Sequence, residues 1–327
     1  MKHFAYLALA ACLGLAQSVV SAEAVEWKAY TYVDSVVTPA YRGLEKLSAD
    51  YEKETGGAIT IKPNAGGSLP IKASNITQAV ADGVLQIADD FSFVGNLRIG
   101  GLIRLPSLIE NETEYAQARE IWLKYVDQEL DAMGVKRLSD YHYPAQVFFS
   151  SQKMTSLEDI KGRKIRVSSA EQGEVIKRLG GTAVTLSPPE VPTGLQSGVV
   201  SGVLTASAGG GLQWRDFFTH NYRLGVNWTN SMFIVNKSVW NKLTPDQQAK
   251  LNKVAKDAAA AIETELRTTE DSSTEKFKAT GMVITLPTAE EKAKAVAAIS
   301  DYWEAWAKQK GGKAPEALAA IRAAIKR

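Results

Sequence analysis

The stretch SLEDIKGRKIRVSSAEQGEVIKRLGGTAVTLSPPEVPTGLQSGVVSGVLTA, residues 156–206 of a 327-residue chain, decides the fold. Three short runs in it, Lys164–Val167, Thr182–Leu186 and Gly202–Ala206, have the length and side chains of buried strands. Between them lie two helical segments: Glu171–Leu179, stopped by Gly180 and Gly181, and Pro189–Ser197. Strands alternating with helices in this way predict an α/β layer fold with a largely parallel sheet. Alternation within the first strand puts Lys164 and Arg166 on one face and Ile165 and Val167 on the other. An arginine in a cleft can grip a carboxylate through two parallel hydrogen bonds. On these residues alone, a solvated strand edge is the competing reading.

The same alternation extends outward in both directions. Upstream, Glu26–Val33 reads as a strand, and Thr38-Pro39 opens a helix bearing Tyr41, Leu44, Leu47 and Tyr51. Ile59 and Ile61 mark a strand, Thr77–Asp82 a short helix ending at Gly83, and Val84–Ala88 another strand. Glu112–Met133 is an amphipathic helix stopped by Gly134, and Gln146–Ser150 a strand. Downstream, Met232–Asn236 is strand-like, and Thr244-Pro245 opens an Ala-, Glu- and Lys-rich helix to about Lys278. Met282–Leu286 adds a strand, and Thr288 caps a helix running through Trp303 and Trp306. No repeat and no linker separates the two α/β halves, so the chain is expected to cross between them around a cleft. The expected division is 23–143 plus 232–271 for the first domain and 144–231 plus 272–327 for the second.

The first residues, MKHFAYLALAACLGLAQSVVSAEAVEW, form a secretory signal peptide, residues 1–22, with cleavage after Ala22. The apolar run is too short for a membrane span. The competing site, a lipoprotein box ending at Cys12, would leave the apolar segment Leu13–Val20 where a polar tether belongs. Export to the periplasm follows. Lys+Arg total 38 against 36 Asp+Glu, a balance without the basic excess that nucleic acid requires. With one cysteine and three histidines, the chain has neither a disulfide framework nor a Cys- or His-based metal site in view.

Motifs for catalysis are missing: there is no G-x-S-x-G elbow, no H-E-x-x-H and no phosphate loop. Gly209-Gly210-Gly211 lacks a dinucleotide fingerprint and reads as a flexible loop or helix entry. His142 and His220 have no nearby serine or cysteine that would form an evident nucleophile pair. No cofactor and no enzyme activity are expected.

In the order of its segments, the chain resembles the solute-binding proteins of tripartite ATP-independent periplasmic (TRAP) transporters. Leu157, Asp159, Lys161, Gly162, Lys164, Arg166, Gly180, Glu190, Leu195, Gln196, Gly198 and Gly202 fit the family's pattern in register. Weaker similarity covers most of the rest, including MFIVNKSVWNKLTPDQQAKL before the long helix. The resemblance implies a two-domain Venus-flytrap fold with chain crossovers, a long bracing helix, and a ligand carboxylate held by Arg166.

Two departures narrow the ligand. Where many relatives carry a second arginine this chain has Gln146, and where many carry an asparagine it has Thr205. A second buried carboxylate would lack a partner, which favours a monocarboxylate, with an aromatic or 2-oxo acid preferred. The family's cleft also points to Trp228 and Trp214, with domain packing as the alternative for both. It points as well to Asp89, whose carboxylate would favour a ligand hydroxyl, amine or indole-type N–H donor or a bridging water. Tyr32, Asp34 and Phe91 are further candidates from neighbouring strand ends. The expected function is a monomeric binding protein that captures a small organic acid and hands it to TRAP membrane subunits. An extracellular sensor's ligand-binding partner keeps the same binding chemistry, and an exported hydrolase is the remaining alternative.

Overall fold

A computed structural model describes residues 25–327; the expected signal peptide, its expected cleavage after Ala22, and Cys12 lie outside the described residues. The chain begins β1 (Val25–Thr31), α1 (Pro39–Glu54), β2 (Ile59–Asn64), α2 (Ile76–Ala81), β3 (Ile87–Asp90), α3 (Glu112–Ala132) and β4 (Val135–Tyr143). It continues with β5 (Val147–Ser150), β6 (Lys164–Val167), α4 (Ala170–Arg178), β7 (Thr182–Thr185), α5 (Val191–Gln196), β8 (Gly202–Thr205) and β9 (His220–Tyr222). The last part holds β10 (Thr229–Asn236), α6 (Lys237–Asn241), α7 (Pro245–Ala279), β11 (Val283–Thr285), α8 (Ala289–Ile299), α9 (Tyr302–Lys310) and α10 (Ala314–Ala324).

Two sheets result, ordered β2-β1-β3-β10-β4 and β11-β9-β5-β8-β6-β7. Each is parallel except for one internal strand, β10 in the first and β5 in the second. These are the strands on which the chain enters the second lobe and returns to the first. The two crossings are bonded side by side, Gln146 N donating to Asn227 O (2.8 Å) and Val226 N to Gln146 O (2.9 Å). This is the two-domain Venus-flytrap fold of periplasmic binding proteins.

Strand alternation sets the cores. In β5, Phe148 faces one apolar cluster with Ile165, Val167 and Leu204; Val147 and Phe149 face another with Val203, Trp214 and Phe277. The long helix is real: 35 residues, about 50 Å at 1.5 Å per residue. Thr244 and Gln247 form a reciprocal capping box at its start. It packs on α1 and β4 in the first lobe and reaches the Ser207–Gly211 turn and β11 in the second.

The structure departs from expectation at the C-terminus and in four strands: β4 and β9 are additional, β3 spans Ile87–Asp90 rather than Val84–Ala88, and β10 begins at Thr229 rather than Met232. The helix expected from Thr288 through Trp306 divides at Ser300-Asp301 because its two parts bury against different cores. Ala295 and Ile299 of α8 pack in the second lobe with α4; Trp303, Trp306 and α10 pack in the first, against α3. Residues 302–327, assigned from sequence to the second domain, therefore lie with the first core.

Candidate functional site

Between the lobes lies a cavity of about 390 Å³, within the range of small-molecule sites. Six of the nine residues singled out from sequence line it: Tyr32, Phe91, Gln146, Arg166, Thr205 and Trp214. The first two come from the ends of β1 and β3, and the other four from the second lobe.

Arg166 gets there by strand geometry. Its neighbours Ile165 and Val167 are buried in the cluster beneath α4 and α8, so its own side chain takes the opposite face, which Trp214 shares. The residue is only 3% exposed, and Nε donates to Leu186 O at 2.9 Å. Its guanidinium carbon lies 5.5 Å from the Trp214 ring centre. Burial lowers its pKa to about 10, with Glu190 acting in the opposite direction, so the group stays cationic at neutral pH. Among the described residues it has no ion-pair partner, whereas Arg42 at the rim pairs with Glu265. Trp214 Nε1 and Thr229 Oγ1, both from residues of the cavity wall, are also buried without a hydrogen-bond partner.

Gln146 stands at the crossing itself, its side-chain amide donating to Pro144 O at 2.9 Å. Thr205, at the end of β8, is covered by the glycine turn. A Cβ on Gly210 would lie 2.2 Å from the Trp214 ring and 2.7 Å from Thr205 Oγ1, and one on Gly211 2.6 Å from the Phe149 ring. The three glycines thus sit in a close-packed turn, kinked at Gly209 and leading into Leu212, which fits the helix-entry reading rather than that of a flexible loop.

Three expected residues are elsewhere. Trp228 is not in this cleft: its Nε1 donates to Ile109 O (3.1 Å) and its ring packs on Tyr115 and His142. Asp89 lies behind the wall, wholly buried and bonded by Thr31, Tyr141 and Ser231. Its burial follows from β3 being a central strand between β1 and β10. Asp34 is exposed and accepts a hydrogen bond from Gln213 Nε2 at 3.2 Å, a contact that joins the lobes.

Sequence reasoning missed Tyr143, which lines the cavity from the unanticipated β4. It also missed Arg104, fully buried behind Phe91, with its guanidinium carbon 4.3 Å from that ring's centre and a hydrogen bond to Phe91 O (2.8 Å). The alternation of Tyr141 and Tyr143 was a signal for β4; nothing in the sequence marked Arg104. Among the described residues no cluster suited to a metal ion occurs, and no helix is long and apolar enough to cross a membrane.

A two-lobed α/β fold, hung on crossing strands around a cavity whose lining includes, among the described residues, the buried and ion-pair-free Arg166, defines a ligand-capturing binding protein. The family model for bacterial extracellular solute-binding protein, family 7, matches residues 30–310, and the chain belongs to that family, the solute receptors of TRAP transporters. It is 26% identical over 224 residues to the uncharacterized protein YiiZ of Salmonella typhimurium, an alignment spanning 64% of this chain and 66% of YiiZ. Its fold is similar to that of a Bordetella pertussis extracytoplasmic solute receptor binding pyroglutamic acid (TM-score 0.84, 20% identity, 91% of this chain and 100% of the other). It is also similar to that of a Desulfovibrio salexigens TRAP periplasmic solute-binding protein with bound orotic acid (TM-score 0.83, 18% identity, 92% and 99%).

Proposed function

We propose that this protein is the periplasmic receptor of a TRAP transporter, capturing a small organic monocarboxylate and delivering it unchanged to membrane subunits. It acts as a monomer, exported through its N-terminal signal peptide. The observation that carries the reading is Arg166, a buried cation without an ion-pair partner in a wall shared by both lobes. A ligand carboxylate supplies the missing anion, and the two remaining guanidinium nitrogens are free of protein hydrogen bonds for a bidentate pair. Gln146 in place of a second cation supports one carboxylate rather than two. Pyroglutamic and orotic acids, bound by the two structural relatives, are each monocarboxylic.

The moving bodies in this reading are residues 25–143 with 229–266 and 302–327, against residues 144–228 with 267–300. Closure follows from a ligand touching both, which favours the closed population. A thermal-shift screen of organic acids, followed by calorimetry, tests the function. Monocarboxylates are expected to raise Tm more than succinate or malate. Arg166→Ala should weaken binding at least 100-fold, because it leaves a desolvated carboxylate unpaired (about 3 kcal/mol or more). Unchanged affinity in a folded Arg166→Ala variant would rule the assignment out.

A further inference from the structure

Behind the cavity wall runs a chain of hydroxyl groups that the carboxylate contact at Arg166 does not use. Its inner end is Asp89, on β3 opposite Thr31 of β1 and next to β10. Asp89 Oδ2 accepts from Thr31 Oγ1 at 3.0 Å, and Oδ1 accepts from Ser231 Oγ at 2.5 Å. Both oxygens lie within reach of the Tyr141 hydroxyl, at 3.1 and 2.9 Å. Among the described residues Asp89 has no ion-pair partner, so three hydroxyl donors do the work of a counter-charge.

Outward from Asp89 the sequence is Tyr141, Tyr32, Tyr143. The Tyr32 hydroxyl lies 3.4 Å from that of Tyr141 and is hydrogen-bonded to that of Tyr143. Tyr141 does not line the cavity; Tyr32 and Tyr143 do. Each phenol carries one proton, and that of Tyr141 is committed to Asp89. The buried negative charge then orders the remaining protons toward itself, Tyr143 donating to Tyr32 and Tyr32 to Tyr141, with each bond polarising the next. The reverse order would set the lone pairs of Tyr32 and Tyr141 face to face with a carboxylate behind them. With its proton turned inward, Tyr143 offers the cavity only lone pairs.

We propose that Asp89, acting through Tyr141, Tyr32 and Tyr143, makes this part of the cavity a hydrogen-bond acceptor and selects carboxylates that bear an O–H or N–H donor over their oxo or ether counterparts. Asp89 is a positioning residue here, and the inference rests on the reading of Arg166 as the carboxylate site. It moves the expected ligand from a 2-oxo acid to a hydroxy acid or a ring N–H acid. Rejection of the wrong partner is strong because two acceptors facing each other in a closed site leave both unpaired.

The test is calorimetric titration at pH 8 of matched pairs: lactate with pyruvate, mandelate with phenylglyoxylate, and pyroglutamate with the lactone that has oxygen in place of its ring N–H. The wild-type protein is expected to favour the donor member of each pair it binds by about tenfold or more. In Asp89→Asn the new amide donates to Tyr141 and turns the chain outward, so the ratio should fall to one or below. Tyr143→Phe, which removes the terminal acceptor, should also abolish the preference and serves if Asp89→Asn does not fold. A merely structural role for Asp89 would weaken both members alike and leave the ratio unchanged. Oxo members that bind wild type as well as the donor members, or a ratio unmoved in the folded variants, overturn this inference alone. If no member of any pair binds, or Arg166→Ala leaves binding intact, the carboxylate reading falls and this inference with it.

Discussion

Arg166 owes its availability to the face of β6 on which it stands, and its strength to the burial that the same face imposes. A surface ion pair contributes little, whereas a desolvated guanidinium awaiting its anion discriminates strongly. Other titratable residues give the protein a readable pH dependence. Burial raises the Asp89 carboxyl to about 7 and the Asp90 carboxyl to about 6. For His142 burial alone would lower the imidazole, but the hydrogen bonds and charges of Glu263 and Glu112 outweigh it and hold the pKa above its ordinary value. All three folded-state values are raised, so the folded protein binds more protons than the unfolded chain. Their stabilisation is complete below the unfolded values and is lost as pH rises through the folded ones. Stability should therefore fall between about pH 5 and pH 8, given ordinary values near 4 for Asp and 6.5 for His. Urea denaturation at pH 5, 6.5 and 8 checks this, and Asp89→Asn should flatten the slope below pH 7. A stability that climbs over this range would contradict it.

At the scale of elements, α7 braces the lobes through two glutamates seven residues apart, close to two helical turns and so on one face. Glu263 accepts from His142 N (3.0 Å) in β4 of the first lobe. Glu270 accepts from Ala208 N (2.9 Å) and pairs with Arg223 (2.7 Å) in the second. Ala208 opens the glycine turn that seats Trp214 against Thr205, so the brace and the cavity wall are one mechanical unit. Gly210→Ala should push the Trp214 ring away, costing about 1–3 kcal/mol as overpacking does. A thermal melt should show Tm several degrees lower, and titration should show weaker ligand binding. An unchanged Tm would mean that the ring moves freely. The long helix was legible from its Ala, Glu and Lys content and its Thr-Pro start. The separate loyalties of α8 and α9 were not, because an apolar face does not say which core it will join.

For the whole molecule, the two crossings bonded at Gln146, Val226 and Asn227 and the Asp34–Gln213 contact at the mouth describe lobes that hinge at one side and meet at the other. A ligand held between them stabilises the folded state by mass action, about 2.7 kcal/mol at a concentration 100 times Kd. Saturating acid should therefore raise Tm by several degrees, while light scattering reports a monomer mass with and without it. A dimer mass, or a Tm indifferent to every acid that calorimetry shows to bind, would refute this picture.

The stretch from Ser156 to Ala206 by itself determined the α/β class, the strand that carries Arg166 and the face from which that arginine reaches out. Those follow from periodicity, which is a local property of the chain. The N-terminal caps at Thr38, Thr244 and Thr288 were equally local, and the structure has all three. Which aromatic meets the cavity was decided only by tertiary structure. Trp214 lines it and Trp228 does not, because each indole's direction depends on which neighbours its turn packs against. The same holds for Asp89, which sits at a strand end, where ligands are expected, yet lies under a layer of tyrosines supplied by β1 and by β4, a strand 45 residues further along. No local pattern in β3 encodes that cover, so its place behind the wall came only from the assembled sheet.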